Sequence, residues 1–301
     1  MGRHATDVIV VTGAAGFLGS RVVPLLRRRS PRAHVIAVVR HERSRALVRG
    51  VDVVGGDLRS ARTWRRLPSS VTHVIHLAAA IPWDRRQATR PGVAIDNLAP
   101  IAHLVHESAR WTDLRQVVYG SSVSVYHPGR LRLRESAPTQ PSTVYGAAKL
   151  AGEQLLDVLT ARGLAVASLR FSSLYGVGQY PGTVLPLLVD RARRGLRLEL
   201  FNVRRVQDFL HVDDAAQATW LAYRKGAHGP FNVGSGRSVS MSALAREVLR
   251  TCGAGRGSRL VEDRRSVSDD AGIRLDIGRS RRVLGYRPRI RLRDGLKTLA
   301  V

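Results

Sequence analysis

A single cysteine, Cys252, in a chain of 301 residues excludes an internal disulfide. The stapled architecture of small secreted domains is thereby ruled out, and a reducing, cytoplasmic location is expected. No apolar run approaches the roughly 20 residues that a bilayer-spanning helix needs. The first apolar stretch, Val8 to Val11, is too short for a signal-peptide core, so no membrane association is expected. Lysine is nearly absent: the 49 basic residues include only Lys149, Lys225 and Lys297, which leaves 46 arginines. Acidic residues number only 23, and the formal net charge is +26. That sign suits a nucleic-acid partner, yet no helix-turn-helix, zinc-finger or RNP-like pattern accompanies it. The arginines are spread along the whole chain, as codon usage in a GC-rich genome would spread them. No nucleic-acid partner and no metal site are therefore expected, whereas anionic small ligands would draw on the charge.

What is present suits a large folded unit, with 44% hydrophobic residues and 24% charged. That length and composition bury a sizeable core and fit one large α/β unit or a large domain plus a small one. Short apolar runs at Val8 to Val11, Val35 to Val39, His73 to Leu77, Val117 to Tyr119 and Val166 to Leu169 read as strands buried on both faces. Amphipathic stretches between them, such as Leu98 to Ser108 and Ala147 to Ala161, read as helices. The alternation predicts an α/β fold with a doubly wound parallel sheet of the Rossmann type. Pro24 predicts a kink in the first helix.

After about Ser172 the rhythm changes. Gly176, Gly178, Pro181 and Gly182 punctuate a loop, and a helix is predicted over 184–194. The segment Pro230 to Gly234 reads as a return to the sheet. Another helix is predicted over 240–251, followed by a Gly-, Arg- and Ser-rich tail to Asp270. The division expected is a dinucleotide-binding domain over 1–172, to which roughly 205–235 returns. The remainder of 173–301 forms a smaller interleaved C-terminal substrate lobe.

Gly13, Gly16 and Gly19 stand between the first strand and the first helix. Glycines at that spacing permit a tight turn and close backbone approach to a pyrophosphate, with the helix N-terminus at Phe17 and Leu18 offering unpaired N–H groups. Arg40 closes the second strand, where an acidic residue would hold an NAD ribose. A guanidinium there can pair with a 2′-phosphate, which favours NADP(H), with NAD(H) as the alternative.

Tyr145 and Lys149 lie one helical turn apart on one face. A cation about 4 Å from a phenol, at an effective dielectric of 20, is worth about 4 kcal/mol, or roughly three pKa units. The pair thus predicts a phenol made acidic enough for proton transfer. The strand end before it carries Ser121, Ser122 and Ser124. Ser122 is the choice for orienting a substrate oxygen, with the other two as alternatives.

At these residues a resemblance becomes plain. Thr12-Gly13-x-x-Gly16-x-x-Gly19, Gly56-Asp57-Leu58, His76-Leu77-Ala78-Ala79, Ser121-Ser122-x-x-x-Tyr126, Tyr145-x-x-x-Lys149 and Arg170 with Tyr175-Gly176 carry it through the first part of the chain. Asp208-Phe209-Leu210-His211-Val212-Asp213-Asp214, Asn232-Val233-Gly234-Ser235-Gly236 and Leu284-Gly285-Tyr286-x-Pro288 carry it onward. Over nearly its whole length the chain resembles the extended short-chain dehydrogenase/reductases, the NAD-dependent epimerase/dehydratase family. The resemblance implies that Asp57 and Leu58 meet the adenine and that Leu77, Ala78 and Ala79 run beside the cofactor. It makes Ser122, Tyr145 and Lys149 the catalytic set, with Asn97 as a helper, and implies a homodimer through a four-helix contact.

The resemblance also narrows the reaction. Dehydratases of the family carry an Asp-Glu pair after the catalytic hydroxyl, where this chain has Val123 and Ser124. Hydride chemistry remains. Arg40 favours a ketoreductase that takes hydride from NADPH and acts on a nucleotide-activated 4-keto sugar. The alternatives are a 4-epimerase with tightly held NAD, a reductase of a non-nucleotide carbonyl compound, and a silent cofactor-binding scaffold. Ser173 and Gln207 replace the Asn and Arg that relatives place at the substrate's diphosphate. Arg204, Arg205 and Arg274 are candidate substitutes, and Ser124 is a further substrate candidate.

Overall fold

The structure, a computed structural model, describes residues 6–41, 44, 48–200, 202–253, 259–262 and 272–299. Most of the basic tail expected up to Asp270 lies outside the described residues. The first half of the chain runs through β1 (Val8–Thr12), α1 (Gly19–Arg29), β2 (His34–Val39), β3 (Asp52–Gly55), α2 (Ala61–Arg65), β4 (His73–His76), α3 (Arg85–Ala88), α4 (Gly92–Glu107), β5 (Gln116–Ser122), β6 (Arg132–Leu133) and α5 (Val144–Asp157). The second half continues with β7 (Ala165–Phe171), β8 (Ser173–Tyr175), α6 (Val184–Arg193), β9 (Leu198–Leu200), β10 (Val206–His211), α7 (Val212–Arg224), β11 (Gly229–Val233), β12 (Ser238–Ser240), α8 (Met241–Cys252), β13 (Leu260–Glu262), β14 (Arg274–Leu275) and α9 (Leu292–Leu299).

Seven strands form one sheet in the order β11-β7-β5-β4-β1-β2-β3, and every neighbouring pair is parallel. The doubly wound parallel sheet is as expected. The order reverses direction between β1 and β4, which opens a crevice at their carboxyl ends. Strand alternation explains why both faces must be covered. Ile9, Val11, Val35, Ala37 and Val39 enter one core with Val22, Leu26 and Ala215 of α1 and α7. Val8, Val10, Ile36 and Val38 enter the opposite core with Trp64, Ile101 and Leu156 of α2, α4 and α5.

A third core gathers Leu185, Leu188, Leu198, Phe209, Leu244, Val248 and Leu296 from α6, β9, β10, α8 and α9. β8, β10 and β12 form a small separate sheet beside it. β11 returns to the large sheet and lies parallel to β7 at its edge.

α1 runs through Pro24 as one helix; the proline sits on the exposed face, where water can hydrate the carbonyl that loses its amide partner. Two departures from expectation have local causes. β3 has only two valines between Asp52 and Gly55, too short an apolar run to read as a strand until β2 pairs with it. α4 begins at Gly92, ahead of Leu98, because its first turn carries little apolar periodicity.

Candidate active site

The glycine turn is closed by backbone alone. Gly13 has φ 65°, in the left-handed region, and a Cβ there would lie 2.7 Å from the amide nitrogen of Ala78. Any side chain at Gly19 would strike the carbonyl of Gly13, so the helix can start against the turn only through glycine. Gly16 is exposed at the mouth, Phe17 and Leu18 are half-buried, and α1 has no acidic residue in its first turn. A bare helix N-terminus at a sheet's switch point fits the pyrophosphate of a dinucleotide. Thr12 ties the turn to the next strand: its hydroxyl lies 2.8 Å from His76 Nδ1 and accepts the Ala78 amide at 3.3 Å. Leu77, Ala78 and Ala79 therefore run directly beside the glycine turn, each half-buried.

Across the switch point, Arg40 is exposed at the end of β2, with no hydrogen bond or ion pair among the described residues. Its charge acts on Asp57, whose carboxyl is held low chiefly by hydrogen bonds from Arg59. Arg59 also reaches Asp96 at 2.9 Å. Leu58 packs against the core, and its carbonyl accepts from Trp64 at 2.8 Å.

At the carboxyl end of β5 the structure brings Ser122, Tyr145 and Lys149 together. Thr143 caps α5 by accepting the Gly146 amide at 3.1 Å, which starts the helix so that Tyr145 and Lys149 face the strand end. Burial pushes the Tyr145 phenol up to about 12, while a hydrogen bond with Ser122 pulls the other way. Burial pushes the Lys149 ammonium down to about 7, opposed by the charge of Glu153. The expected acidification of Tyr145 by Lys149 is therefore absent from the protein alone. The reason is geometric: Nζ donates to the Gly120 carbonyl at 2.8 Å and lies 5.8 Å from the centroid of the Tyr145 ring. The ammonium is held to the strand backbone and sheds charge readily.

The three serines separate by role. Ser121 is buried and donates to Glu153. Ser122 faces Tyr145, and its hydroxyl donates to Ser124 at 3.1 Å. Asn97, on α4, donates to the carbonyls of Ala80 at 3.1 Å and Val93 at 2.8 Å. Its Oδ1 is buried and has no partner among the described residues.

A supporting network escaped the sequence reading. Glu153, one turn beyond Lys149, pairs with Arg170 at 2.7 Å, and both side chains are only 6% exposed. Arg170 also donates to Tyr126 at 2.8 Å, and Tyr126 to Asn232 at 2.8 Å. The signal for Glu153 was its four-residue spacing from Lys149. Its partner stands on β7, and only the register that places Ser121 opposite Arg170 joins them.

The motif around Asp208 proves to be a set of loop staples. Asp208 accepts the amides of Ser235 and Gly236, each at 2.8 Å, and the Ser172 hydroxyl at 2.9 Å. Asp214 accepts the amides of Arg289 at 3.0 Å and Ile290 at 2.9 Å.

Of the substrate candidates, Ser173 and Gln207 meet, since the Gln207 amide donates to the Ser173 hydroxyl where β8 and β10 run side by side. Arg204 and Arg205 are exposed in the turn before β10. Arg274 donates to the Gly129 carbonyl at 2.9 Å, so at least one of its donors is committed to the protein.

Comparison with known proteins agrees with this geometry. The model of the NAD dependent epimerase/dehydratase family matches residues 9–234, and the chain belongs to that family. A dTDP-glucose 4,6-dehydratase of Streptomyces griseus is 31% identical, with 97% of this chain and 92% of the relative covered. A UDP-glucose 4-epimerase of Azospirillum brasilense is also 31% identical, over 97% and 90%. Among solved structures, the UDP-glucose 4-epimerase of Thermotoga maritima with UDP-glucose superimposes with a TM-score of 0.86 at 25% identity, each chain covered over 97%. DesIV, a dTDP-glucose 4,6-dehydratase of Streptomyces venezuelae solved with NAD and TYD, gives 0.83 at 28% identity over 97% and 95%. These relatives are epimerases and dehydratases, and DesIV holds NAD. They give no support to the expectation of a reductase that prefers NADP(H).

Proposed function

We propose that the protein is an NAD-dependent 4-epimerase of a nucleotide-activated sugar. The observation that carries this reading is the Ser122, Tyr145 and Lys149 group beside a bare glycine turn, with Val123 and Ser124 where dehydratases of the family place an acid and a base. Proton transfer at a hydroxyl is thus provided for, and water elimination is not.

The backbone of Gly13, Gly16, Phe17, Leu18 and Gly19 would hold the pyrophosphate, Asp57 and Leu58 the adenine side, and Leu77 to Ala79 the edge near the nicotinamide. The dinucleotide, when bound, supplies a hydride acceptor that becomes a donor. The positive charge of the oxidised dinucleotide, when bound, would have to lower the raised proton affinity of Tyr145, so that its phenolate could take the proton of the sugar hydroxyl as the carbon is oxidised and return it when the ketone is reduced from the other face. Ser122 fixes the position of that oxygen by hydrogen bonding. Lys149, whose Nζ is held at the Gly120 carbonyl, would add positive charge to the site as a whole whenever it is protonated. In this reading residues 1–172, with 205–235, serve the dinucleotide, and the rest of 173–301 serves the sugar nucleotide.

The test is product analysis after incubation with NAD and either UDP-glucose or dTDP-glucose. A 4-epimer is expected, and a 4-keto-6-deoxy product would overturn the reading. A second reading, a ketoreductase using NADPH, draws on the uncommitted guanidinium of Arg40. It is favoured if NADPH is consumed with a 4-keto sugar nucleotide and Arg40→Asp abolishes that consumption.

A further inference from the structure

Two large aromatic side chains lie outside all three cores. Trp83 is 48% exposed and Tyr180 is 54% exposed, yet their rings pack together with centroids 5.0 Å apart at 37°. Each sits on a loop leaving the carboxyl end of a strand, Trp83 after β4 and Tyr180 after β8. Both loops are tied at their bases to the elements that frame the dinucleotide crevice. Asn97 of α4 holds the Ala80 carbonyl, and Arg21 in the first turn of α1 holds the Val177 carbonyl at 3.0 Å. α3, which follows Trp83 directly, packs against α5, the helix that carries Tyr145. Gly176 and Gly178, with φ 148° and 91°, give the second loop its turns. Ile81 and Val177, flanking the pair in sequence, are 64% and 51% exposed.

Exposed rings cost hydrophobic free energy that a fold can recover by burying them elsewhere. Here they stay exposed on loops that leave the carboxyl ends of β4 and β8. The chemistry that suits two tilted aromatic faces is a ligand with a flat apolar side and polar edges. A hexose has such a side in the C–H groups of its ring.

We propose that Trp83 and Tyr180 are specificity-determining residues that contact the hexosyl ring of the sugar nucleotide and cover it during reaction. This inference rests on the nucleotide-sugar reading above. The rings interact with the hexose and leave the nucleoside diphosphate to other residues. They thereby decide which sugars are held near Tyr145.

The experiment compares UDP-glucose with UDP, which lacks the hexose. Binding of each to the NAD-loaded wild type, Trp83→Ala, Tyr180→Ala and the conservative Trp83→Phe is measured by calorimetry. Loss of one aromatic contact is expected to weaken UDP-glucose about three- to tenfold, with UDP affinity unchanged and Trp83→Phe near wild type. In the wild type, UDP-glucose should also shift tryptophan emission, and Trp83→Phe should lose that shift. Equal weakening of both ligands, or no weakening of either, overturns the inference alone. A wild type that binds UDP and dTDP but neither UDP-glucose nor dTDP-glucose, or that binds none of them, overturns the nucleotide-sugar reading together with it.

Discussion

At the scale of single residues the account turns on a phenol and an ammonium that burial drives in opposite directions. Lys149 releases its proton near 7 in the folded chain, against an ordinary value of 10.5. Between those values the unfolded chain binds a proton that the folded chain refuses. Stability should therefore rise with pH across that window and gain nothing further from this group above it. Chemical denaturation of the wild type and of Lys149→Met at several pH values checks this, because the substitution should remove that part of the slope. An unchanged slope would mean that the ammonium is better solvated than the geometry shows. The Tyr-x-x-x-Lys spacing was legible in the sequence, since helical periodicity alone puts the two on one face. Their proton affinities were not, because these depend on burial and on the Gly120 carbonyl that captures Nζ.

At the scale of elements, α5 is bound to the sheet by the pair Glu153–Arg170, which also grips Ser121 on β5. Removing one partner of a buried ion pair leaves the other charged and unpaired, at a cost of about 3–5 kcal/mol. Arg170→Met should thus lower stability by about that amount, measured by denaturant unfolding. It should also lower activity, through loss of the registration between Ser122 and Tyr145. A stable variant with full activity would show that the pair is dispensable. The strands rich in β-branched residues were readable one by one from their apolar runs. β3 was not, because its identity comes from pairing with β2. The contact between Ser173 and Gln207 was equally hidden, since those positions are far apart in sequence and meet only through the β8–β10 register.

At the scale of the whole molecule, a sheet covered on both faces leaves one open edge of chemistry, the carboxyl ends of β1, β4 and β5. The glycine turn, the serine strand end and the Tyr145 helix converge there. Among the described residues no helix is long and apolar enough to cross a membrane. The net charge of +26 is compatible with an anionic dinucleotide and an anionic substrate entering one cleft. The central claim is that Tyr145 moves a proton while a hydride passes between sugar and nicotinamide. The most direct test is single-turnover absorbance of the reduced nicotinamide after the NAD-loaded protein is mixed with UDP-glucose or dTDP-glucose. The account predicts transient reduction in the wild type and a rate about 10²–10⁴-fold lower in Tyr145→Phe. Reduction at the wild-type rate in Tyr145→Phe would contradict it.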